Sequence, residues 1–257
     1  MFSYTKQVLL MSSLALSISH TTLAQNNTLA NQETTLLNLY NKMMRHNDST
    51  DYYAEAFEKA FLLLLKSDNK TLQYSFAKLT QNNKMQIKKS ADGKLKIYTW
   101  DDQSGGTMRF FKTIYQYKNG SGINVEIENL EEGDAGNFIV KIHQIVINKV
   151  THYLPIFSGT YSNKDMNQTV CAFTIKEDKL IKQKPLFKSK TQLLTKISVN
   201  YDFFSVMDHK ERPIELIRYN DAQKKLLIPV VNDEGKVSKK NLIYELKGDY
   251  LQYVGIQ

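Results

Sequence analysis

At Met85 the chain changes period, and that change constrains its fold more than any other feature. Upstream, apolar side chains recur at helical spacing: Leu36, Tyr40, Met43 and Met44 between Asn31 and His46, then Tyr53, Phe57, Ala60, Phe61 and Leu64 between Asp51 and Lys66. Downstream they alternate, and tight-turn pairs punctuate them: Asp92-Gly93, Asn119-Gly120, Asn148-Lys149, Glu177-Asp178, Asn220-Asp221, Glu234-Gly235 and Gly248-Asp249. A single switch of this kind reads as α+β, with an N-terminal helical pair followed by a large antiparallel β-meander.

Asn47-Asp48-Ser49-Thr50 supplies N-cap side chains for the second helix, and Leu72, Phe76 and Leu79 suggest a short third one. The alternating segments are expected at Gln86–Lys89, Lys94–Trp100, Thr107–Tyr117, Ile123–Glu128, Phe138–Ile147, Tyr153–Phe157, Thr169–Lys176, Lys196–Asp202, Pro213–Tyr219, Lys225–Val231, Lys239–Leu246 and Tyr250–Val254. About a dozen strands are too many for one flat sheet, so the meander is expected to curl or to fold into two layers. Phe138–Ile147 is apolar on both faces, as a strand covered on each side must be. No proline-rich or glycine-rich linker divides the chain. The expected organisation is one α+β domain over 25–257, with helices over about 31–80 and sheet over about 85–256.

The first residues carry a different message. Lys6 precedes an apolar run from Val8 to Ile18, and Thr22-Leu23-Ala24 offers the small residues that a signal peptidase reads. This pattern predicts a signal peptide over 1–24, cleaved after Ala24, and a periplasmic or extracellular mature protein. The run is far short of the roughly 20 apolar residues a bilayer crossing needs. Gln25 after the cut is not a cysteine, so neither a membrane span nor a lipid anchor is expected.

Cys171 is the only cysteine, which excludes an intramolecular disulfide; its strand-like setting suits a buried thiol better than a nucleophile. Histidines are scattered as His46, His143, His152 and His209 after the predicted cut, without the spacing of a zinc site, so neither metal nor cofactor is expected. His143 shares a strand face with Lys141 and Ile145 and reads as a hydrogen-bonded structural imidazole. His209 has Asp208 and Glu211 at hand to orient it, though a solvated turn accounts for it as well. No nucleophile elbow, penicillin-binding set or phosphate loop occurs, so no catalytic residue is assigned.

The formal charge is +8, of which Lys6 contributes one. Outside the cytoplasm such a balance favours anionic glycans, lipid head groups or an acidic protein partner. The densest basic stretch, Lys176 to Lys196, carries lysines and no arginine, and it lacks the aromatic patterns of nucleic-acid recognition, so no nucleic acid is expected. Lysines on edge strands also guard against aggregation.

The most distinctive segment runs from Asp92 to Arg109. It places the only tryptophan, Trp100, beside Asp101 and Asp102, follows with Gly105 and Gly106, and ends on Arg109. In a ligand site Trp100 would be an apolar platform, the carboxylates acceptors, the glycines points of close backbone approach and Arg109 an anion clamp. The competing reading is a hairpin whose glycines take positive φ and whose aspartates bond their own turn. Asp92-Gly93, Tyr98-Thr99-Trp100-Asp101, Ser104-Gly105-Gly106-Thr107-Met108 and Gln116-Tyr117 resemble an uncharacterised family of secreted proteins of Gram-negative bacteria. Tyr161-Ser162, Ala172-Phe173-Thr174-Ile175, Asp202-Phe203-Phe204-Ser205-Val206 and Arg212-Pro213 extend that resemblance across most of the mature chain. It implies a bacterial periplasmic or surface setting and brings no mechanism with it.

Two functions follow as expectations. The first is a cofactor-free binding protein that contacts a protein or an anionic envelope glycan through a sheet face or a loop end. The second is an envelope-polymer hydrolase in which Asp101 or Asp102 and a distant carboxylate form an acid/base pair.

Overall fold

A computed structural model describes residues 29–45 and 49–257; the expected signal peptide with its expected cut after Ala24, His46, and the Asn47-Asp48 half of the expected cap lie outside the described residues. Helix α1 covers 29–43 and α2 covers Thr50–Ser67. Ser49 occupies the N-cap position of α2, its carbonyl accepting from the Tyr53 N–H at 3.0 Å. Leu36, Tyr40, Met43, Phe57, Phe61 and Leu64 are buried as their spacing demands, while Met44 is turned outward. The third apolar set is buried too, but in a 3-10 turn at Asn69–Leu72 and the four-residue helix α3 at Ala77–Thr80. Phe76 breaks the expected helix between them by adopting a left-handed φ of 52°.

Four strands follow as an antiparallel meander in the order β1-β2-β3-β4: β1 Met85–Lys89, β2 Leu95–Asp101, β3 Phe111–Lys118 and β4 Ile123–Ile127. One face of this first sheet turns Tyr98, Trp100 and Ile114 toward the helices; the other turns Leu95, Ile97, Tyr115 and Tyr117 toward the next sheet. That double cover is why β2 is buried from Leu95 to Trp100. On the helical side Phe57 meets Trp100 edge-on at 5.5 Å and Phe61 meets Tyr98 at 5.3 Å, contacts worth about 0.5–1.5 kcal/mol each beyond the buried area.

Lys96 is the anomaly of this layer. Only 3% exposed, it has no carboxylate partner among the described residues; its ammonium donates to the Thr71 carbonyl at 3.0 Å and to the Tyr74 carbonyl, over the rings of Phe76 and Tyr98. Burial first, and then the neighbouring Lys89 charge, bring its amine down to about 7. Beside it the Tyr98 hydroxyl donates to Gln116 Oε1 at 2.6 Å, and Gln116 Nε2 donates to Thr71 Oγ1 at 2.7 Å. The buried polar groups around the lysine are thereby satisfied.

The second sheet is built on β5 Phe138–Ile147 and β6 Val150–Thr160. β5 pairs along one edge of β6; β7 Asp165–Cys171 and β8 Phe173–Lys176 share the other. The single strand expected at Thr169–Lys176 is thus broken at Ala172, whose N–H donates to Thr195 O at 3.1 Å and whose carbonyl accepts from the Lys184 N–H at 3.0 Å. The break lets two strands flank the pair, β9 Lys179–Ile181 on β8 and, after β10 Phe187–Lys188 and β11 Leu193–Leu194 have left, β12 Lys196–Asp202 on β7.

β10 and β11 enter a third sheet with β13 Arg218–Asn220, β14 Lys225–Val231, β15 Val237–Lys247 and β16 Tyr250–Ile256, ordered β11-β10-β16-β15-β14-β13. Its β10–β16 pair is parallel, a departure from the expected all-antiparallel meander. Val140, Leu154, Ile156 and Val170 of the second sheet pack against Phe187, Leu226, Ile228 and Leu251 of the third. The architecture is α+β as expected, with the strands divided among three stacked sheets. The strand expected at Pro213–Tyr219 forms only from Arg218, because the fully buried Gln168 claims the backbone before it: its Nε2 donates to Ile214 O at 2.9 Å and its Oε1 accepts from Leu216 N and Ile217 N at 2.8 and 2.7 Å. Among the described residues no helix is long and apolar enough to cross a membrane.

Candidate functional site

The segment singled out by the sequence splits into a core half and a surface half. Trp100 is 1% exposed and belongs to the helix–sheet core. Asp101 ends β2 with its Oδ1 accepting from the Gln103 N–H at 2.8 Å and its Oδ2 paired with the Arg109 guanidinium at 3.3 Å. Asp102 is spent on its own turn, accepting from the Ser104 N–H at 3.0 Å and the Ser104 hydroxyl at 2.6 Å. The residue with left-handed φ is Gln103, at 66°, and neither Gly105 nor Gly106. Gly105 is required for another reason, since a Cβ there would overlap the Met108 carbonyl oxygen, whereas a Cβ on Gly106 would meet open space. The strand expected from Thr107 starts only at Phe111 because the Arg109 N–H donates to Thr160 O in β6 at 3.0 Å, drawing this stretch off the first sheet.

Two adjoining hollows lie beside this loop. One, of about 300 Å³, takes Trp100, Phe111 and Phe138 as apolar lining and Lys84, Asp101 and Arg212 as polar lining. The other, of about 370 Å³, shares Asn83, Lys84 and Asp101 with it and adds Tyr40, Gln103 and Arg109. Burial first, then the Asp101 charge, hold the Tyr40 hydroxyl well above its usual range; it donates to the Lys84 carbonyl at 2.5 Å. Arg212 is held in place by donating to the carbonyls of Met207, His209 and Glu211. Of the sequence candidates, Trp100, Asp101 and Arg109 line this cleft; Asp102, Gly105 and Gly106 shape the loop beside it. Asp101 is the one carboxylate among the residues lining either hollow, against three cations. Lys84 and Arg212 escape a reading of the sequence because other chain segments bring them to the hairpin; Gln103 lies within the hairpin, and its left-handed φ is what the sequence does not announce.

The opposite end of β2 opens on a third hollow of about 630 Å³, lined by Lys94, Lys118 and Lys149 with Thr151, Tyr153 and Ile175. It is bordered by tight turns tied to one another. Asn119 Nδ2 donates to Asp178 O at 3.0 Å, the Gly120 N–H donates to Asp178 Oδ1 at 3.1 Å, and Asn148 Nδ2 donates to Asp249 Oδ1 at 2.5 Å. The turns at Asn148-Lys149 and Glu177-Asp178 have positive φ at both residues, the geometry that closes a two-residue hairpin.

Between the two ends, β1 lies beside β5. The seam is tied by the Ile139 N–H donating to Thr99 Oγ1 and the Asp92 N–H donating to Gln144 Oε1, each at 3.0 Å. Glu215 bridges Lys141 at 3.0 Å and His143 at 3.2 Å, which gives His143 the structural hydrogen bond expected of it. Burial alone would raise the Glu215 carboxyl, but hydrogen bonds from His143 and Lys141 bring it below the usual carboxylate range. Lys88 faces the same group; burial lowers its amine, with Glu215 acting against the shift and Lys141 adding to it.

Cys171 ends β7 against the inter-sheet cluster, and burial pushes its thiol up to about 12, the opposite of an activated nucleophile. His209 lies in an exposed turn in which Arg212 binds its backbone carbonyl. Among the described residues, no three histidine, cysteine or acidic side chains gather as metal ligands would.

A scan against protein-family models finds no match for this chain, and a search of curated proteins finds none either. Neither comparison supports the resemblance to secreted Gram-negative proteins expected from the sequence.

Proposed function

We propose that this is an exported binding protein of the bacterial envelope that works without a cofactor and holds an anionic glycan in the cleft beside the Asp102–Phe110 loop. The observation that carries this reading is the cleft's composition: an apolar floor, with Lys84, Arg109 and Arg212 set against the single, already paired carboxylate of Asp101. Apolar surface takes the C–H face of a sugar ring and the cations take its acidic groups. A hydrolase acting through paired carboxylates needs a second acid in the same cleft, and Asp102 is bound to its own turn. The leader over 1–24 is the route to the envelope.

The test is co-sedimentation of residues 25–257 with purified acidic envelope polysaccharide and with a neutral glucan, followed by an assay for new reducing ends. Binding to the acidic polymer alone, weakened about 10-fold or more in the Lys84→Gln, Arg109→Gln double variant, is expected. Equal binding to both polymers removes the anionic reading, and new reducing ends restore the hydrolase.

A further inference from the structure

The two cationic ends of the molecule are joined by a path that already carries charge. Lys94 follows the turn after β1, and Lys149 lies in the Asn148-Lys149 turn after β5, so the two strands that start at the cleft both finish at the lysine hollow. Midway along their seam stand Lys88 and Lys141, the latter half exposed.

Carboxylates on the path are engaged by the protein itself. Asp92 Oδ1 accepts from the Ser90 hydroxyl at 2.7 Å and the Lys94 N–H at 3.0 Å, and its Oδ2 accepts from the Tyr153 hydroxyl at 2.9 Å. Glu215 is taken by Lys141 and His143, and Asp101 by Arg109. Lys94, Lys118 and Lys149, by contrast, form no ion pair among the described residues, although they converge on one hollow. Asp92, Asp178 and Asp249 stand at this end as well, each bound to neutral donors and not to a lysine ammonium. Cations left without an ion pair on cross-tied turns are preorganised for a partner of opposite sign, because little ordering is left to be done on binding.

Resting on the proposed glycan reading, we infer that the ligand is a linear acidic polysaccharide laid along the β1–β5 seam, with one stretch in the cleft and another on the Lys94, Lys118 and Lys149 platform. Distance is what makes this a polymer site. From Lys94 to Asp101 the strand rises about 23 Å, nearly three times the roughly 8 Å screening length at physiological salt. A small anion at one end does not feel the other, so only a chain long enough to touch both gains from both. The charge carriers on the seam and the platform are lysines, suited to spaced carboxylates or sulfates, and the cleft adds Arg109 and Arg212. Tyr153, the one aromatic residue lining the platform hollow, is 1% exposed, which leaves a nucleobase no ring to stack on at that end.

Calorimetry with oligogalacturonates of two, four and eight units tests it on residues 25–257, with length-matched polyphosphate and oligo-dT as rival polyanions. Affinity is expected to rise about 10-fold or more from the dimer to the octamer. The Lys94→Gln, Lys118→Gln, Lys149→Gln variant is expected to flatten that rise to under about 2-fold, with its fold checked by circular dichroism. A rise that survives in this variant, an affinity independent of length, or equal binding of polyphosphate or oligo-dT overturns the polysaccharide track. Dimer affinity reports on the cleft and is read in the Lys84→Gln, Arg109→Gln variant. The cleft and the track therefore fail on different measurements.

Discussion

The two ends of the β1–β5 seam are built in opposite ways. At the lysine platform, tight turns are tied to one another by side-chain amides and two aspartates, and three cations form no ion pair among the described residues. At the cleft, an irregular loop is drawn across to β6, a left-handed Gln103 follows the strand, and Arg109 is partly spent on Asp101. The platform's turns are each closed by local chemistry and then tied across 58 to 101 residues of sequence; the cleft's irregular loop is shaped throughout by contacts between distant segments. Rigidity and charge can therefore be perturbed separately.

The largest effect is expected at the boundary of the cleft. Trp100→Ala empties a site ringed by Phe57 and Phe61 and should destabilise the fold by about 3–5 kcal/mol in chemical denaturation. A loss under about 1 kcal/mol would move Trp100 from the core to the cleft.

Next comes the buried lysine. Because Lys96 titrates at about 7 when folded and near its ordinary value when unfolded, the unfolded chain binds more protons between those limits, and stability should rise with pH from about 7 toward 10.5. Lys96→Met should remove that slope in denaturation measured at several pH values. A slope unchanged by the substitution would mean that the ammonium is not held where the fold places it.

Smaller still is the platform tie. Asp178→Gly keeps the positive φ but removes the acceptor of the Gly120 N–H, and should cost about 1 kcal/mol and speed hydrogen exchange at that amide. The smallest effect is at the cleft rim. Arg109→Gln breaks a partly exposed ion pair and should shift stability by less than about 0.5 kcal/mol, against a larger loss in glycan binding. Should the cleft variant cost more stability than the platform variant, the contrast between the two ends would be reversed.

The same contrast explains what was legible in advance. The turns at Asn148-Lys149 and Glu177-Asp178 and the bounds of β5, β12 and β14 follow from alternation and from residues that tolerate positive φ, which are local properties. The break at Ala172, the late start of β3 and the shortened β13 do not, because Thr195, Thr160 and Gln168 impose them from other parts of the chain. Of the site, Asp101 and Arg109 were visible as neighbours in sequence. Lys84 and Arg212, which oppose them across the cleft, meet there only through the stacking of helices and sheets, and the platform lysines looked like ordinary strand-end charges until three turns gathered them.

The most direct measurement is amide chemical-shift mapping of residues 25–257 titrated with octagalacturonate. Shifts are expected at both ends of the seam, around Lys84, Gln103 and Arg109 and around Lys94, Gly120 and Lys149, and along β1 between them, with the β13–β15 region of the third sheet unmoved. Shifts confined to the helices or to the third sheet, with the seam unmoved, would contradict the account.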